Sequence, residues 1–317
     1  MRYSVFVDGQ GGTTGLRLFD YLANHSHVRL LRIEPEKRKD SKERARLLNA
    51  SDVAFLCLPD AAAHEAVTLV ENGKTCLIDA STAFRTSDEW VYGLPELALG
   101  QRRKIRESKR IANVGCHASA FILLIRPLVD AGVLPSSYPV SAFSQTGYSG
   151  GGKAMIAAYE EQHLGGAVAA CRTYALGMDH KHLPEMKKYT GLDYYPAFVP
   201  SVGGFFKGLS VSVPLQVACL PPGATPKRLH EVLTARYQDE PFVRVMPQDS
   251  AINLEADFFD PRGSNGTNRV DLFVFGNEER CCLIARLDNL GKGAAGAAVQ
   301  NMNIHLGIEE GVGLPAG

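Results

Sequence analysis

Several things that would settle a class at once are missing from this sequence. No window of the 317 residues approaches the roughly 18 apolar positions a membrane helix needs, so no segment reads as a span. The opening Met1-Arg2-Tyr3-Ser4-Val5-Phe6-Val7-Asp8 is interrupted too soon for a secretory signal. Lys plus Arg (34) equals Asp plus Glu (34), so no overall positive field exists to recruit nucleic acid. The seven cysteines, Cys57, Cys76, Cys116, Cys171, Cys219, Cys281 and Cys282, contain no CxxC and no Cys/His cluster of zinc-finger spacing. Repeats, low-complexity tracts and charged tails are absent too. What is present is 45% hydrophobic residues, ample to offset chain entropy, over a length that suggests two domains. The expectation is a soluble, reduced, cytoplasmic protein with no metal, no membrane and no nucleic-acid partner.

The first 115 residues alternate short apolar runs with helical patterns. Strands are expected at Tyr3–Val7, Val28–Ile33, Asp52–Leu58 and Thr75–Asp79, with helices at Leu16–Asn24 and Ala61–Glu71. That alternation implies parallel pairing through right-handed crossovers, hence a doubly wound, Rossmann-like α/β domain. The middle of the chain is different. Longer strands are expected at Val140–Thr146, Leu209–Leu220 and Arg269–Phe275, and helices at Gly152–His163 and Thr225–Tyr237. Leu209 to Leu215 alternates as a half-solvated antiparallel strand should. The expected fold is therefore an α/β N-terminal domain followed by an α+β domain with a mainly antiparallel sheet. Lys292–Leu306 carries apolar residues at helical spacing.

Five motifs carry chemistry. Gly9-Gln10-Gly11-Gly12-Thr13-Thr14-Gly15 joins the first strand to the first helix, where glycines let the backbone approach a pyrophosphate at a helix N-terminus. Its spacing is not the strict GxGxxG. After the second strand come Arg32, Glu34, Lys37, Arg38 and Lys39. Arg32 and the later basic residues suit a 2′-phosphate and so favour NADP, whereas Glu34 could serve the ribose hydroxyl of NAD. Asn113-Val114-Gly115-Cys116-His117-Ala118 places Cys116 at the start of an apolar helix running to about Ala131. The helix dipole there favours a nucleophilic thiolate. The other cysteines read as small core residues. His180-Lys181-His182-Leu183-Pro184-Glu185 offers an acid/base in a turn before a helix. Ser144 to Lys153 ends in three glycines with Ser149 and Lys153 at hand, a second anion cradle or a hinge. Arg85 follows the fourth strand, at the sheet end where such folds bind ligands, and could clamp a phosphate or carboxylate.

Taken together, GQGGTTG, IEPEKRKD, DASTAFR, NVGCHASAF, TGYSGGGK, HKHLPEM and NLGKGAAGAAVQNMN resemble the shorter form of the N-acetyl-gamma-glutamyl-phosphate reductases, in order and over nearly the whole chain. The loop departs from the GASGYTG wording of the longer form. The resemblance implies an NADP(H)-dependent enzyme of arginine biosynthesis that reduces N-acetyl-L-glutamyl 5-phosphate to the semialdehyde and releases inorganic phosphate, through a thioester on Cys116. It implies His182, or else His180, as acid/base, and Gly9, Gly11, Gly12, Thr13, Thr14, Gly15, Arg32 and Asn289 at the cofactor. It implies Arg85, Ser149 and Lys153 at phosphate or carboxylate. It further implies an NADP-binding domain of residues 1–115 plus 290–317, a catalytic and oligomerisation domain of 116–289, and a homo-oligomer, commonly a tetramer. The rivals are aspartate-semialdehyde dehydrogenase and a catalytically silent dinucleotide-binding regulator.

Overall fold

The computed structural model describes residues 2–161, 170–248 and 250–315. The chain forms two compact units, one ending at Gly115 and completed by Ala294–Pro315, the other spanning Cys116–Gly293.

In the first unit the chain runs β1 (Tyr3–Asp8), α1 (Thr13–Ala23), β2 (Val28–Leu31), α2 (Ser41–Ala50), β3 (Val53–Leu56), α3 (Asp60–Thr68), β4 (Cys76–Asp79), β5 (Val91–Gly93), α4 (Gln101–Glu107) and β6 (Arg110–Asn113). The strands form one sheet in the order β2-β1-β3-β4-β6-β5, parallel throughout. β1 is apolar along its length because both its faces are covered. Val5 and Val7 enter a core with Leu18 and Leu22 of α1, while Phe6 enters another with Leu47 and Leu48 of α2 and Ala63 of α3. The sheet order reverses between β1 and β3, which is where such folds open a ligand crevice.

Two differences from the expected elements have local causes. α1 begins at Thr13, a turn earlier than its apolar spacing indicates, with Gly12 as N-cap. α2 falls in a stretch for which no element was expected. Asp40 caps it, its carboxylate accepting from the N–H groups of Lys42 (2.9 Å) and Glu43 (3.3 Å).

The second unit runs α5 (Cys116–Asp130), β7 (Ser141–Gly147), α6 (Gly152–Glu161), β8 (Arg172–Thr173), α7 (Leu183–Thr190), β9 (Ala197–Gly203), β10 (Leu209–Gln216), α8 (Pro226–Tyr237), β11 (Val243–Val245), α9 (Ser250–Asn253), β12 (Val270–Gly276) and β13 (Arg280–Leu287). The end of the helix expected over 152–163 lies outside the described residues. The sheet order is β11-β12-β13-β10-β7-β9-β8, antiparallel except for β11 with β12 and β7 with β9. α5 packs on β10, β13, α7 and α8, and the Tyr237 hydroxyl of α8 donates to the Leu123 carbonyl of α5 at 2.8 Å. α5 is buried along nearly all its length: Ala120 to Ile125 are wholly inaccessible. Burying each large apolar side chain contributes about 1.5–3 kcal/mol, so α5 is held as a rigid rod.

After a π-helical turn at Gly291–Ala295, α10 (Gly296–Leu306) rejoins the first unit. Val299, Met302 and Ile304 enter the same core as Val5 and Val7. Asn301 Nδ2 donates to the Gly93 carbonyl at 2.9 Å, fixing the helix against β5.

Candidate active site

In the first unit the glycine loop is shaped by close backbone approach. Gly9 has φ +86, and a Cβ there would run into the carbonyl of Cys57 beyond β3. A Cβ on Gly15 would lie 2.6 Å from the Gly9 carbonyl oxygen. Neither position admits a side chain. The loop closes with the Gly12 N–H donating to Gly9 O at 3.0 Å. It delivers the α1 N-terminus with no acidic residue in its first turn, and Thr13 Oγ1 is buried there without a hydrogen-bond partner. Bare N–H groups, a helix dipole and an orphaned hydroxyl together suit the pyrophosphate of a dinucleotide.

A cavity of about 420 Å³ opens beside the loop, its wall including Gly9, Gln10, Gly11, Arg38, Lys39, Ser41 and Arg44. At its floor Arg44 binds Asp8 (3.0 Å) and Glu65 (3.0 Å). Burial pushes the Asp8 carboxyl up from its ordinary value, against the pull of the Arg44 hydrogen bond. Arg32 is exposed at the end of β2, its guanidinium 5.9 Å from the Phe19 ring, and is not part of this wall. Of the basic residues after β2, Arg38 and Lys39 line this cavity.

Arg85 is buried, at 7% exposure. It donates to the carbonyls of Asn113 (3.0 Å), Ala80 (3.3 Å) and Val114 (3.4 Å). It thus braces the loops after β4 and β6. Nearby, Ser81 donates to Asp79 at 2.6 Å, and burial pushes the Asp79 carboxyl up to about 6.

In the second unit Cys116 is the first residue of α5 and is half-buried. Gly293 approaches it so closely that a Cβ there would lie 2.7 Å from Cys116 Cβ. His117, next along the helix, is buried at the centre of an imidazole cluster. Its ring centroid lies 5.3 Å from His180 and 5.5 Å from His182, which are themselves 4.7 Å apart. The HKH turn therefore packs on the residue adjoining Cys116. The His182 N–H donates to His180 Nδ1 at 3.1 Å, so that nitrogen is an acceptor and carries no proton. His182 Nε2 lies 4.0 Å from the buried carboxylate of Glu185. Burial, with His180 and Lys181 as lesser causes, pushes His117 down to about 3, so it stays neutral. Burial, with Cys116 second, pushes the Tyr174 hydroxyl up.

Ser149 and Asn289 come together although far apart in sequence. Asn289 Nδ2 donates to Ser149 Oγ at 3.0 Å, and its Oδ1 accepts from the Gly208 N–H at 2.9 Å. Lys153 is exposed in the first turn of α6. Among the described residues no group of three or more His, Cys, Asp or Glu could hold a metal ion, and no helix is long and apolar enough to cross a membrane. His117, Tyr174, Glu185 and Gly293 were not singled out from the sequence. Only Glu185 carried a local signal, three residues after His182 on one helix face.

A sequence model described as the semialdehyde dehydrogenase dimerisation domain matches residues 116–289, and one described as the NAD binding domain matches 4–107. N-acetyl-gamma-glutamyl-phosphate reductase 2 of a Nostoc species is 45% identical over 317 residues, covering 98% of each chain. This chain belongs to the N-acetyl-gamma-glutamyl-phosphate reductase family. The Burkholderia cenocepacia N-acetyl-gamma-glutamyl-phosphate reductase is 45% identical over 306 residues, covering 96% of this chain and 97% of its own. The fold extends beyond such reductases. Aspartate semialdehyde dehydrogenase II of Vibrio cholerae, complexed with ASA, aligns with a TM-score of 0.72 at 15% identity, covering 96% of this chain and 98% of its own. The Candida albicans aspartate semialdehyde dehydrogenase with NADP aligns at 0.64 and 14% identity, with 96% and 98% covered.

Proposed function

We propose that the two units divide one reaction between them, the first (residues 1–115 with the C-terminal segment) holding the cofactor and the second (116–289) the reacting acyl group. The reaction is the NADPH-dependent reduction of N-acetyl-L-glutamyl 5-phosphate to N-acetyl-L-glutamate 5-semialdehyde and phosphate, a step of arginine biosynthesis. The observation that carries this reading is Cys116 at the start of a buried helix, with the His180–His182 turn packed on its neighbour His117.

Gly9, Gly11, Gly12, Thr13, Thr14 and Gly15 would hold the pyrophosphate. Arg38 and Lys39 on the cavity wall, with the exposed Arg32 after β2, would take the 2′-phosphate. NADPH supplies the hydride. The α5 dipole stabilises the Cys116 thiolate. Its sulfur attacks the acyl carbon; the C–S bond forms, the bond to phosphate oxygen breaks, and phosphate leaves with the electron pair. Once the thioester carbonyl has been reduced, its oxygen must take and then return a proton. His182, held near the Glu185 carboxylate, is the proposed acid/base, and His180 is the second candidate. Loss of that proton breaks the C–S bond, frees the aldehyde and restores the thiolate. Arg85, Ser149 and Lys153 would bind phosphate or carboxylate. Asn289, whose amide donates to Ser149 Oγ, would face the nicotinamide.

A second copy of the chain is the proposed partner. Phe143 (49% exposed), Gln145, Pro214 and Gln216 leave one face of the β7–β10 region open to it. All seven cysteines are free, which supports a reducing cytoplasm.

The reaction is tested in reverse, with N-acetylglutamate semialdehyde, phosphate and NADP+, by the rise in reduced-nicotinamide absorbance. Turnover of that semialdehyde but not of aspartate semialdehyde is expected; the opposite pattern would sink the reading.

A further inference from the structure

We infer that Tyr174 is a positioning residue: through His117 and Ser144 it ties the loop bearing the histidine turn to the helix bearing the nucleophile, by a hydrogen-bond chain whose direction is fixed. The inference deepens the function proposed above and rests on it for the identity of the reaction.

The direction follows from the far end. Ser144 Oγ lies 2.8 Å from the carbonyl oxygen of Ser210, which can only accept. The one hydroxyl proton of Ser144 therefore points at Ser210. Ser144 Oγ also lies 2.8 Å from His117 Nδ1, so there it accepts, and Nδ1 carries hydrogen. His117 is buried and neutral, so Nε2 is bare and must accept from its partner, the Tyr174 hydroxyl at 3.1 Å. The chain reads Tyr174 to His117 to Ser144 to Ser210 and cannot run backwards without losing the hydrogen bond from Ser144 to Ser210. Four elements are joined by it: the segment after β8, the start of α5, and the core strands β7 and β10.

That segment needs anchoring. Between Tyr174 and His180, two residues other than glycine adopt left-handed backbone, Ala175 (φ 53) and Met178 (φ 56). Each costs of order 1 kcal/mol and persists only where its surroundings dictate it. The ties are visible. The Tyr174 N–H donates to the Pro200 carbonyl at 3.0 Å, and the Met178 N–H to the Ala175 carbonyl at 3.1 Å. The rings of His117 and His180 both pack on Phe198, at 5.3 and 5.2 Å. Leu176 (72% exposed) and Met178 (45% exposed) point outward and lend the loop little hydrophobic hold. The Tyr174 hydroxyl ties the start of this loop to His117, and the segment it leads into is His180-Lys181-His182. Because its proton is committed to His117, Tyr174 offers no proton to sulfur or substrate. Its contribution is geometric.

The test uses the full-length protein with NADP+ bound and 15N-labelled histidine. In the wild type His117 shows a neutral ring protonated on Nδ1, from mildly acidic to mildly basic pH. In Tyr174→Phe, which keeps the ring and removes the donor, the His180 and His182 signals shift and broaden. In the same variant kcat falls about ten- to a hundredfold while KM stays within about threefold, since misplacing a catalytic group by an ångström costs rate of that order. Ser144→Ala moves both readouts the same way by less. A proton on Nε2 of His117, or Tyr174→Phe leaving the histidine signals and kcat unchanged, overturns the inference. If the wild type reduces no acyl phosphate, the proposed function fails by itself, and the histidine signals still decide the chain.

Discussion

The two units prepare their chemistry from different materials. The first uses main chain: a loop whose glycines are dictated by carbonyls of Gly9 and Cys57, delivering backbone N–H groups at a helix start. The second uses side chains: a thiol, three clustered imidazoles, and a phenol and a serine hydroxyl hydrogen-bonded to one of them. A main-chain site cannot be weakened without disturbing the fold, because the groups that bind are those that make the loop. A side-chain site can lose its chemistry with the fold intact. Substitutions in the two units should therefore fail differently.

The largest effect belongs to the second unit. Cys116→Ser removes the proposed nucleophile, and steady-state reduction of the acyl phosphate should fall at least about a thousandfold, a loss of about 4 kcal/mol of transition-state stabilisation. Thermal unfolding and NADPH binding should stay near wild type. A variant retaining activity would end the thioester route.

Gly9→Ala in the first unit should show the converse. A left-handed residue whose Cβ meets a backbone carbonyl has nowhere to relax, so unfolding free energy should drop by more than about 3 kcal/mol. NADPH binding should go with it. An alanine variant that melts normally while losing only NADPH affinity would blur the contrast between the units.

Next comes a pH effect that differs in sign between them. Asp79 of the first unit has its carboxyl raised to about 6 by burial, from 3.8. The folded state holds that proton more tightly than the unfolded chain. Its contribution to stability is therefore full below about pH 4 and lost as pH rises through 6, by about 2–3 kcal/mol. His117 of the second unit is lowered from 6.5 to about 3, so its contribution is present above 6.5 and lost as pH falls toward 3. Asp79→Asn should flatten the loss on the way up to pH 6 and leave the acid side unchanged in denaturant titrations.

The smallest effect separates two arginines. Arg38→Ser should weaken NADPH binding about tenfold, some 1.4 kcal/mol, and NADH binding little. Arg32→Ser should change either by less than about threefold. Reversal of that order would return the 2′-phosphate to the end of β2.

How far the sequence could be read followed the same division. Four of the six strands of the first unit's sheet were legible as short apolar runs, whereas β5 (Val91–Gly93) and β6 (Arg110–Asn113) were not, being short and partly polar; the glycine loop was legible because its backbone demands are local. α2 was missed because its surface is charged, although Asp40 followed by Glu43 is a helix-start signal. In the second unit β13 alternates Cys281, Leu283, Ala285 and Leu287 inward, a pattern legible in hindsight. Cys116 and the HKH turn were legible as motifs. Their assembly was not, since His117, Ser144 and Tyr174 meet only through tertiary packing. Nothing local distinguishes Tyr174 from the other tyrosines.

One contact has a consequence for descent. Gly293 lacks a side chain because the Cβ of Cys116 occupies that space, and any residue at 116 except glycine would occupy it as well. Position 293 is thereby mortgaged to position 116 across the whole length of the second unit. Among relatives that keep the cysteine, glycine at 293 should be as constant as the nucleophile itself, though it touches neither hydride nor proton. A lineage that relinquished the cysteine for another side chain would still inherit the glycine, as the imprint of a chemistry it no longer performs.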